Sequence, residues 1–276
     1  GIAEKTFGST TIDTLSAIDN GEQVIINTND CPFSIAETSA LKLKNHYKQI
    51  NFLLFGYSSA TAYPQCFDLN SDELQNSQQE IVKKFLSQGE SYINLFNPNF
   101  YMPFAGRYVL GGKKHTLEKN RAQIELEDAL EYYLNSPKIN QKHNKGITLN
   151  QNSTFDVNTE KSDHDYIPIN RNEKNQYIEN NLSKRKYDYE NDENPTLDQF
   201  KELIPQCYER YELKRNKLQF STTTSVLIHL PENQMLLLHS DGISPEIISQ
   251  NEENKFKKFL IIKTDYRLLL RLMRGP

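Results

Sequence analysis

The chain has 276 residues and a net charge of −4, with 37% hydrophobic and 25% charged residues. That length fits one large domain or two modest ones, and the acidic balance argues against nucleic acid as a partner. The three cysteines form no C-x-x-C pair, which excludes a disulfide scaffold and favours a reducing, cytoplasmic compartment. No apolar run approaches the roughly 18 residues of a membrane-spanning helix, so no membrane contact is expected.

The first part of the chain predicts alternating strands and helices. The turn signal Asp19-Asn20-Gly21-Glu22 follows a strand over 10–18, and Ser34 with Glu37 forms a capping box that would open a helix. Further strands are predicted at 24–26, 52–55 and 101–110, and helices at 35–47 and 72–96. This series favours an α/β (α+β layered) fold.

The rest of the chain is less regular. A helix is predicted at 118–134, a strand or hairpin at 146–157, a helix opened by a capping box at Thr196 and kinked or ended by Pro205, a hairpin at 222–239, a strand at 259–262 and a final helix around 268–272. Residues 158–195 are strongly polar and read as an insertion or linker. The predicted domains are therefore 1–157 and 196–276, separated by that stretch.

Asp30 is the strongest candidate for chemistry. It follows a buried strand and precedes a helix, at the position where α/β sheets collect ligands and metals. A carboxylate there can hold a cation or act as a base. The competing interpretation is that Asn-Asp-Cys-Pro is turn chemistry and that Asp30 only satisfies backbone amides.

Polar residues also follow the next two strands. The segment 57–64 is rich in hydroxyls and should face the same side of the sheet as Asp30, although no G-x-S-x-G motif marks a nucleophile. Arg107 follows the third strand and suits a phosphate or carboxylate, with a surface ion pair as the alternative. The candidate substrate-lining residues are Asn29, Tyr57, Ser58, Tyr63 and Arg107.

The six histidines form no site at recognisable spacing. Asp163-His164-Asp165 lies in the polar stretch and is expected to be solvated, and His46 suits a helix end. A zinc centre usually needs two or three histidines, and a Rieske cluster needs C-x-H and C-x-x-H pairs, which the chain lacks.

Three segments taken together resemble a known family. Residues 24–33 (VIINTNDCPF), 55–67 (FGYSSATAYPQCF) and 102–106 (MPFAG) are similar to metallo-β-lactamase-fold proteins of the nucleotide-sugar hydroxylase type, which act on CMP-N-acetylneuraminate or UDP-N-acetylmuramate. The tail 265–276 (DYRLLLRLMRGP) resembles the end region of bacterial members. The resemblance covers about residues 7–112 and the tail.

The resemblance implies an αββα sandwich that holds one or two metal ions at one edge of its sheets. Asp30 would then be a metal ligand, and the Tyr-Ser-Ser-Ala loop at 57–60 and the Pro-Phe-Ala-Gly segment at 103–106 would line the site near it. In the family the H-x-H-x-D-H motif lies upstream of the Asn-Asp segment, and this chain does not contain it. The sequence is therefore interpreted as a sandwich incomplete at its amino terminus, with little metal binding or catalysis on its own.

Three functions remain open from the sequence. The first is a metal-dependent hydrolase in which a zinc centre activates water against a small, nucleotide-sugar-related substrate. The second is an iron-dependent nucleotide-sugar hydroxylase that receives electrons from a separate Rieske partner. The third is a non-catalytic interaction module with a decayed metal site.

Overall fold

The chain folds into two compact units, residues 1–185 and 186–276. The computed structural model describes residues 14–104, 107–239, 242–255 and 258–275. It shows a mixed α/β protein with two sheets of mixed strands flanked by helices. The division between the units falls inside the polar stretch 158–195. Residues 10–13 of the predicted strand at 10–18 lie outside the described residues.

The described residues of the first unit form a sheet with helices between its strands. In chain order the elements are β1 (Ser16–Asp19), β2 (Val24–Asn27), α1 (Phe33–His46), β3 (Phe52–Gly56), α2 (Ser71–Phe96), β4 (Phe100–Phe104), α3 (Leu126–Leu134), β5 (Lys145–Gly146), β6 (Phe155–Asp156), β7 (Lys161–Ser162) and α4 (Arg171–Asn180). The five-stranded sheet has the order β1-β2-β3-β4-β5, and β6 pairs with β7 separately.

Strands β2 to β5 run parallel, whereas β1 joins β2 as an antiparallel hairpin. The hairpin turn contains Gly21 at a φ of +91°, a conformation that glycine adopts without steric cost. This confirms the predicted turn. The parallel β2-α1-β3-α2-β4 series confirms the predicted alternation of strands and helices.

The three helices α1, α2 and α3 cover one face of this sheet. Side chains from all three share one core with residues of β2, β3 and β4. The ladder places Ile26 beside Leu53 and Leu53 beside Tyr101, so these three fully buried side chains form a row across the sheet. Helices on one face are expected when strands are added in one direction through crossovers of one hand.

The other face of the sheet is also apolar. The rings of Phe52 and Phe100 stack there with centroids 6.4 Å apart, and Phe155 of β6 lies 5.0 Å from Phe100. Both Phe52 and Phe100 are buried. The face opposite the helices therefore also buries large apolar side chains.

The second unit is a smaller sheet with two helices. Its described elements are α5 (Leu197–Leu218), β8 (Ser225–Leu230), β9 (Gln234–Leu238), β10 (Glu246–Ser249), β11 (Phe259–Ile262) and α6 (Tyr266–Arg274), with strand order β10-β9-β8-β11. The predicted hairpin and the strand at 259–262 are confirmed. Phe200 of α5 and Leu270 of α6 pack on Leu230 and Leu236 in one core. Of the helices in the described ranges, none combines the length and hydrophobicity needed to cross a bilayer.

The predicted start of one helix was wrong, and a second helix does not end at its proline. Helix α1 is capped by Pro32 and not by Ser34, because Pro32 already has extended backbone and its carbonyl accepts from Ile35 and Ala36. Helix α5 continues through Pro205.

The continuation past Pro205 has a packing cause. Phe200 before the proline and Cys207 after it belong to the same core, so tertiary packing outweighs the hydrogen bond that proline removes.

Two further segments differ from their predicted extents. The helix predicted at 118–134 is a 3-10 turn at Gly112–Asn120 followed by α3, and the strand predicted at 101–110 is β4, which ends at Phe104. The polar stretch 158–195 contains β7, α4 and short 3-10 turns. Its few buried apolar side chains, such as Ile178 and Tyr189, anchor more structure than its composition predicts.

We expect Gly89→Ala in α2 to destabilise the fold by about 2 kcal/mol, because overpacking a filled core costs about 1–3 kcal/mol. A Cβ at residue 89 would stand 2.3 Å from the Tyr133 hydroxyl and 2.6 Å from the Phe55 ring. Urea unfolding measures the change. The control is Gln79→Ala on the exposed side of the same helix, which should shift stability by less than about 0.5 kcal/mol. Equal stability of both variants would contradict the packing account.

Candidate functional site

A cavity of about 410 Å³ opens at the carboxyl ends of the parallel strands. We call it the strand-end cavity. Its lining residues are Asn29, Asp30, Gly56, Ser58, Ser59, Ala60, Thr61, Phe85, Gln88, Arg107 and Tyr108. Four of the residues predicted from the sequence, Asn29, Asp30, Ser58 and Arg107, therefore lie together. The cause is topological, since parallel neighbours end at the same edge of a sheet.

Hydrogen bonds of the two residues before Asp30 fix the turn that brings it to this edge. The Thr28 amide continues the ladder by donating to the Leu54 carbonyl at 2.9 Å. The Asn29 amide donates to its neighbour's side chain, Asn27 Oδ1, at 2.8 Å, and Asn29 takes a φ of +47° that turns the chain. The carboxylate of Asp30 is exposed to solvent after this turn. Asparagine tolerates the left-handed conformation better than most residues, so the local sequence fits its role.

Gly56 keeps the floor of the cavity open. A Cβ at residue 56 would lie 3.4 Å from the Asn29 carbonyl oxygen and 3.9 Å from Asp30 Oδ1. A larger side chain would therefore fill the space directly beside the carboxylate. Glycine at a strand end commonly marks a close approach of backbone or ligand.

Ser58 belongs to the lining of the cavity, and its hydroxyl is buried. Its Oγ atom is shielded from solvent and has no hydrogen-bond partner among the described residues. The loop that carries it is fixed by its neighbours, because the Thr61 amide donates to Ser59 Oγ at 3.2 Å and the Gln65 amide group donates to the Thr61 carbonyl at 2.7 Å. A buried hydroxyl without a protein partner calls for a water or a ligand atom.

Arg107 is held by a shared carboxylate. Glu125 forms ion pairs with Arg107 and with Lys174 of α4, so two cations meet one anion beside the cavity. Burial raises the pKa of Glu125, but hydrogen bonds and charges from Lys174 and Arg107 outweigh it and lower the pKa below 4.5. The Nε atom of Arg107 is buried without a hydrogen-bond partner in the described part of the chain.

Arg121 fixes the segment that follows Arg107. Its guanidinium lies 3.6 Å from the centroid of the Tyr108 ring and donates to the Tyr108 carbonyl. The same guanidinium donates to Glu118 at 3.1 Å, and Glu118 accepts from the Leu110 amide at 2.9 Å. Planar stacking combined with several directed donors is particular to arginine. The wall of the cavity at Tyr108 is therefore firmly positioned.

The two remaining predicted residues lie outside the cavity lining. Tyr57 is buried in the core, where desolvation raises its pKa to about 12, partly opposed by the nearby Arg107. Tyr63 lies on the surface, where its hydroxyl is 2.5 Å from Ser77 Oγ and its ring meets Phe67 edge to face. Neighbouring side chains of an extended segment point to opposite sides, so Tyr57 enters the core while Ser58 lies in the cavity lining.

No metal centre can be assembled from the described residues alone. In the ranges that the structure describes, no three His, Cys, Asp or Glu side chains are grouped so that they could share a metal ion. Asp163 and His164 form an exposed local pair, with the ring nitrogen 3.2 Å from the carboxylate. His115 Nδ1 lies 3.0 Å from the Gly112 carbonyl within its own turn. In both arrangements the histidine contacts a residue close to it in the sequence, and neither forms a set of metal ligands.

Two parts of the site were not predicted from the sequence. They are the side of the cavity that α2 forms and the charged residues Glu125 and Lys174 next to Arg107. Phe85 and Gln88 line the cavity from α2, and Gln88 also accepts from the Phe33 amide at 3.2 Å. A polar residue on the apolar side of that helix was the available signal. Glu125 and Lys174 had no local signal, because they meet Arg107 through tertiary contacts.

Comparisons with known proteins do not add to this picture. No protein-family model, no curated protein and no solved structure matches the chain.

We expect Glu125→Gln to destabilise the first unit by about 1–2 kcal/mol at pH 7, the range for hydrogen bonds to charged groups after solvent screening. The folded-state pKa of Glu125 is lowered, so its stabilisation is present above the unfolded pKa and is lost as pH falls through the folded value. The difference between variant and wild type should therefore shrink below about pH 4.

Thermal or urea unfolding across pH measures this dependence. Glu131→Gln is the control, because Glu131 is an exposed carboxylate on α3. It should leave stability nearly unchanged at every pH. A Glu125→Gln effect of constant size from neutral to acid pH would show that the ion pairs are not its cause.

Proposed function

We propose that the protein is a metal-dependent hydrolase of the metallo-β-lactamase type, and that the strand-end cavity is the substrate-binding side of its site. The observation that carries this proposal is the meeting of Asp30, Ser58 and Arg107 in one cavity. Each follows a different parallel strand, as the resemblance to that family implies. The cavity volume of about 410 Å³ suits a small molecule.

The sheet supports the αββα architecture that the proposal requires. Helices α1, α2 and α3 share the core on one face, and Phe52 and Phe100 make the opposite face apolar. In an αββα sandwich the face without helices packs on a second sheet. The described part of the first unit therefore corresponds to one helix layer and one sheet layer of such a sandwich.

The chemistry of the lining favours a polar substrate. The Asp30 carboxylate accepts hydrogen bonds, the Ser58 hydroxyl can donate or accept, and the guanidinium of Arg107 donates. Phe85 and Tyr108 add aromatic surface on which an apolar ring or sugar face can rest. These groups bind and orient a substrate, and the Asp30 side remains open to solvent.

The described residues do not by themselves fit a catalytic metal. A hydrolytic zinc site usually takes three protein ligands and keeps a position for water. Asp30 offers one carboxylate, and the described residues place no group of three ligands together. The proposal therefore requires histidine ligands, which the resemblance implies upstream of Asp30, and no reaction step is assigned to this chain alone.

Metal analysis of the 276-residue chain is the first test. We expect substoichiometric, weakly held zinc and iron, because a single carboxylate makes a poor site. Inductively coupled plasma mass spectrometry after dialysis gives the content directly. Stoichiometric metal that survives dialysis would show that the chain holds a complete centre and would overturn the account of Asp30 as a lone ligand.

The second test compares variants of the protein as it is expressed from its own gene. Asp30→Asn should weaken zinc binding by at least about 100-fold, since loss of a residue that only hydrogen-bonds to a metal ligand already costs about 10–100-fold. Hydrolysis of ester, phosphodiester and nucleotide-sugar probes should fall with the metal content. The control is Asp68→Asn, an exposed aspartate away from the cavity lining.

The outcomes separate the candidate functions. Zinc with hydrolysis that depends on Asp30 supports the proposal, and zinc binding unaffected by Asp30→Asn contradicts the assignment of that ligand. Tightly bound iron together with substrate hydroxylation would replace the hydrolase by the oxygenase. Absence of any metal in the protein expressed from its own gene would favour an interaction module.

A further inference from the structure

We propose that β11, in the second unit, binds an extended, acid-flanked segment of a partner protein by strand addition. This inference concerns a different sheet from the strand-end cavity and does not rest on the proposed hydrolase. The strand is four residues long, Phe259 to Ile262, and stands last in the order β10-β9-β8-β11. Its one strand neighbour among the described residues is β8, with which it pairs in parallel.

The outer edge of β11 carries unpaired backbone groups. In a parallel ladder, alternate residues direct their amide and carbonyl groups to the neighbour, and the others direct theirs outward. Within the described residues nothing pairs with that outward row. Such a row is a template for a further strand, and natural proteins usually protect it.

The side chains of β11 are apolar and unusually accessible. The exposed fractions are 38% for Phe259, 46% for Leu260 and 37% for Ile262. Because successive residues of a strand point to opposite faces, these three side chains expose apolar surface on both faces of the sheet edge. An edge that is open and apolar on both faces is suited to a partner strand whose side chains cover it.

Two lysines bracket this edge and decide the kind of partner. Lys258 precedes the strand and Lys263 follows it, and both are exposed. No ion pair of either lysine is found in the part of the chain that the structure describes. A partner segment that crosses the whole edge would therefore meet a positive charge at each end, which favours Asp or Glu on both sides of its apolar residues.

The same charges disfavour a second copy of this chain. A two-fold pairing of β11 with itself is antiparallel, and full overlap sets Phe259 opposite Ile262. Lys258 of one copy would then face Lys263 of the other at both ends. Like charges directly opposite one another destabilise a strand pair, so the edge is protected from self-association while it stays open to an acidic partner.

The test measures peptide binding to the intact chain by fluorescence anisotropy. The probe is a short labelled peptide of alternating Val and Thr with Glu at both ends, and its counterpart carries Lys at both ends. We expect the Glu-ended peptide to bind about tenfold more tightly, as two exposed ion pairs replace two repulsions. The variant Lys258→Glu with Lys263→Glu should reverse the preference.

A matched control changes the same charge elsewhere. Lys214→Glu with Lys217→Glu alters two exposed lysines of α5 and should keep the preference for the Glu-ended peptide. Methylation of alternate amide nitrogens of the peptide removes the strand hydrogen bonds and should abolish binding. Equal binding of both peptides, no binding of either, or undiminished binding of the methylated peptide would overturn the proposal.

Self-association is the remaining outcome. Sedimentation equilibrium of the chain without peptide should give a monomer at the concentrations used for binding. A dimer that Leu260→Lys converts to monomer would show that β11 pairs with a second copy, and the proposal of an acidic partner would then be wrong.

Discussion

The parallel ladder of β2, β3 and β4 is the constraint on which the rest of the first unit depends. Leu53 lies between Ile26 and Tyr101 in register, and the helices that connect the strands close over this row. Once the strands run the same way, the segments that follow them must emerge at one edge. The position of Asp30, Ser58 and Arg107 is a consequence of that pairing rather than of any attraction among them.

Residues close to strand ends could be predicted from the sequence, and residues that reach the cavity from elsewhere could not. Apolar runs located the strands, so Asp30, Ser58 and Arg107 were identified by position alone. Tyr57 lies in the core and not in the cavity lining, and a run of hydroxyl residues does not reveal which of them turns inward. Phe85 lines the cavity and Lys174 pairs with Glu125 beside it, because folding brings distant segments together. The local spacing of residues does not indicate such contacts.

Helix ends show the same limit. The capping box at Thr196 is present in the structure, whereas the one expected at Ser34 is not, since Pro32 begins the helix earlier. Pro205 was expected to kink or end α5, and the helix does not end there because the apolar side chains on either side of the proline pack in one core. Propensity describes the isolated segment, and packing decides when the two disagree.

The carboxylate shared by Arg107 and Lys174 links two regions of very different composition. Lys174 belongs to the polar stretch 158–195, which reads as dispensable surface when judged by hydropathy. A shortened chain that ended before α4 would keep every strand of the large sheet yet leave Glu125 with one cation in place of two. In homologues, position 174 should therefore stay basic, whereas the exposed positions of the stretch should vary more freely. A deletion of this stretch would remove the positive charge of Lys174 from beside the cavity.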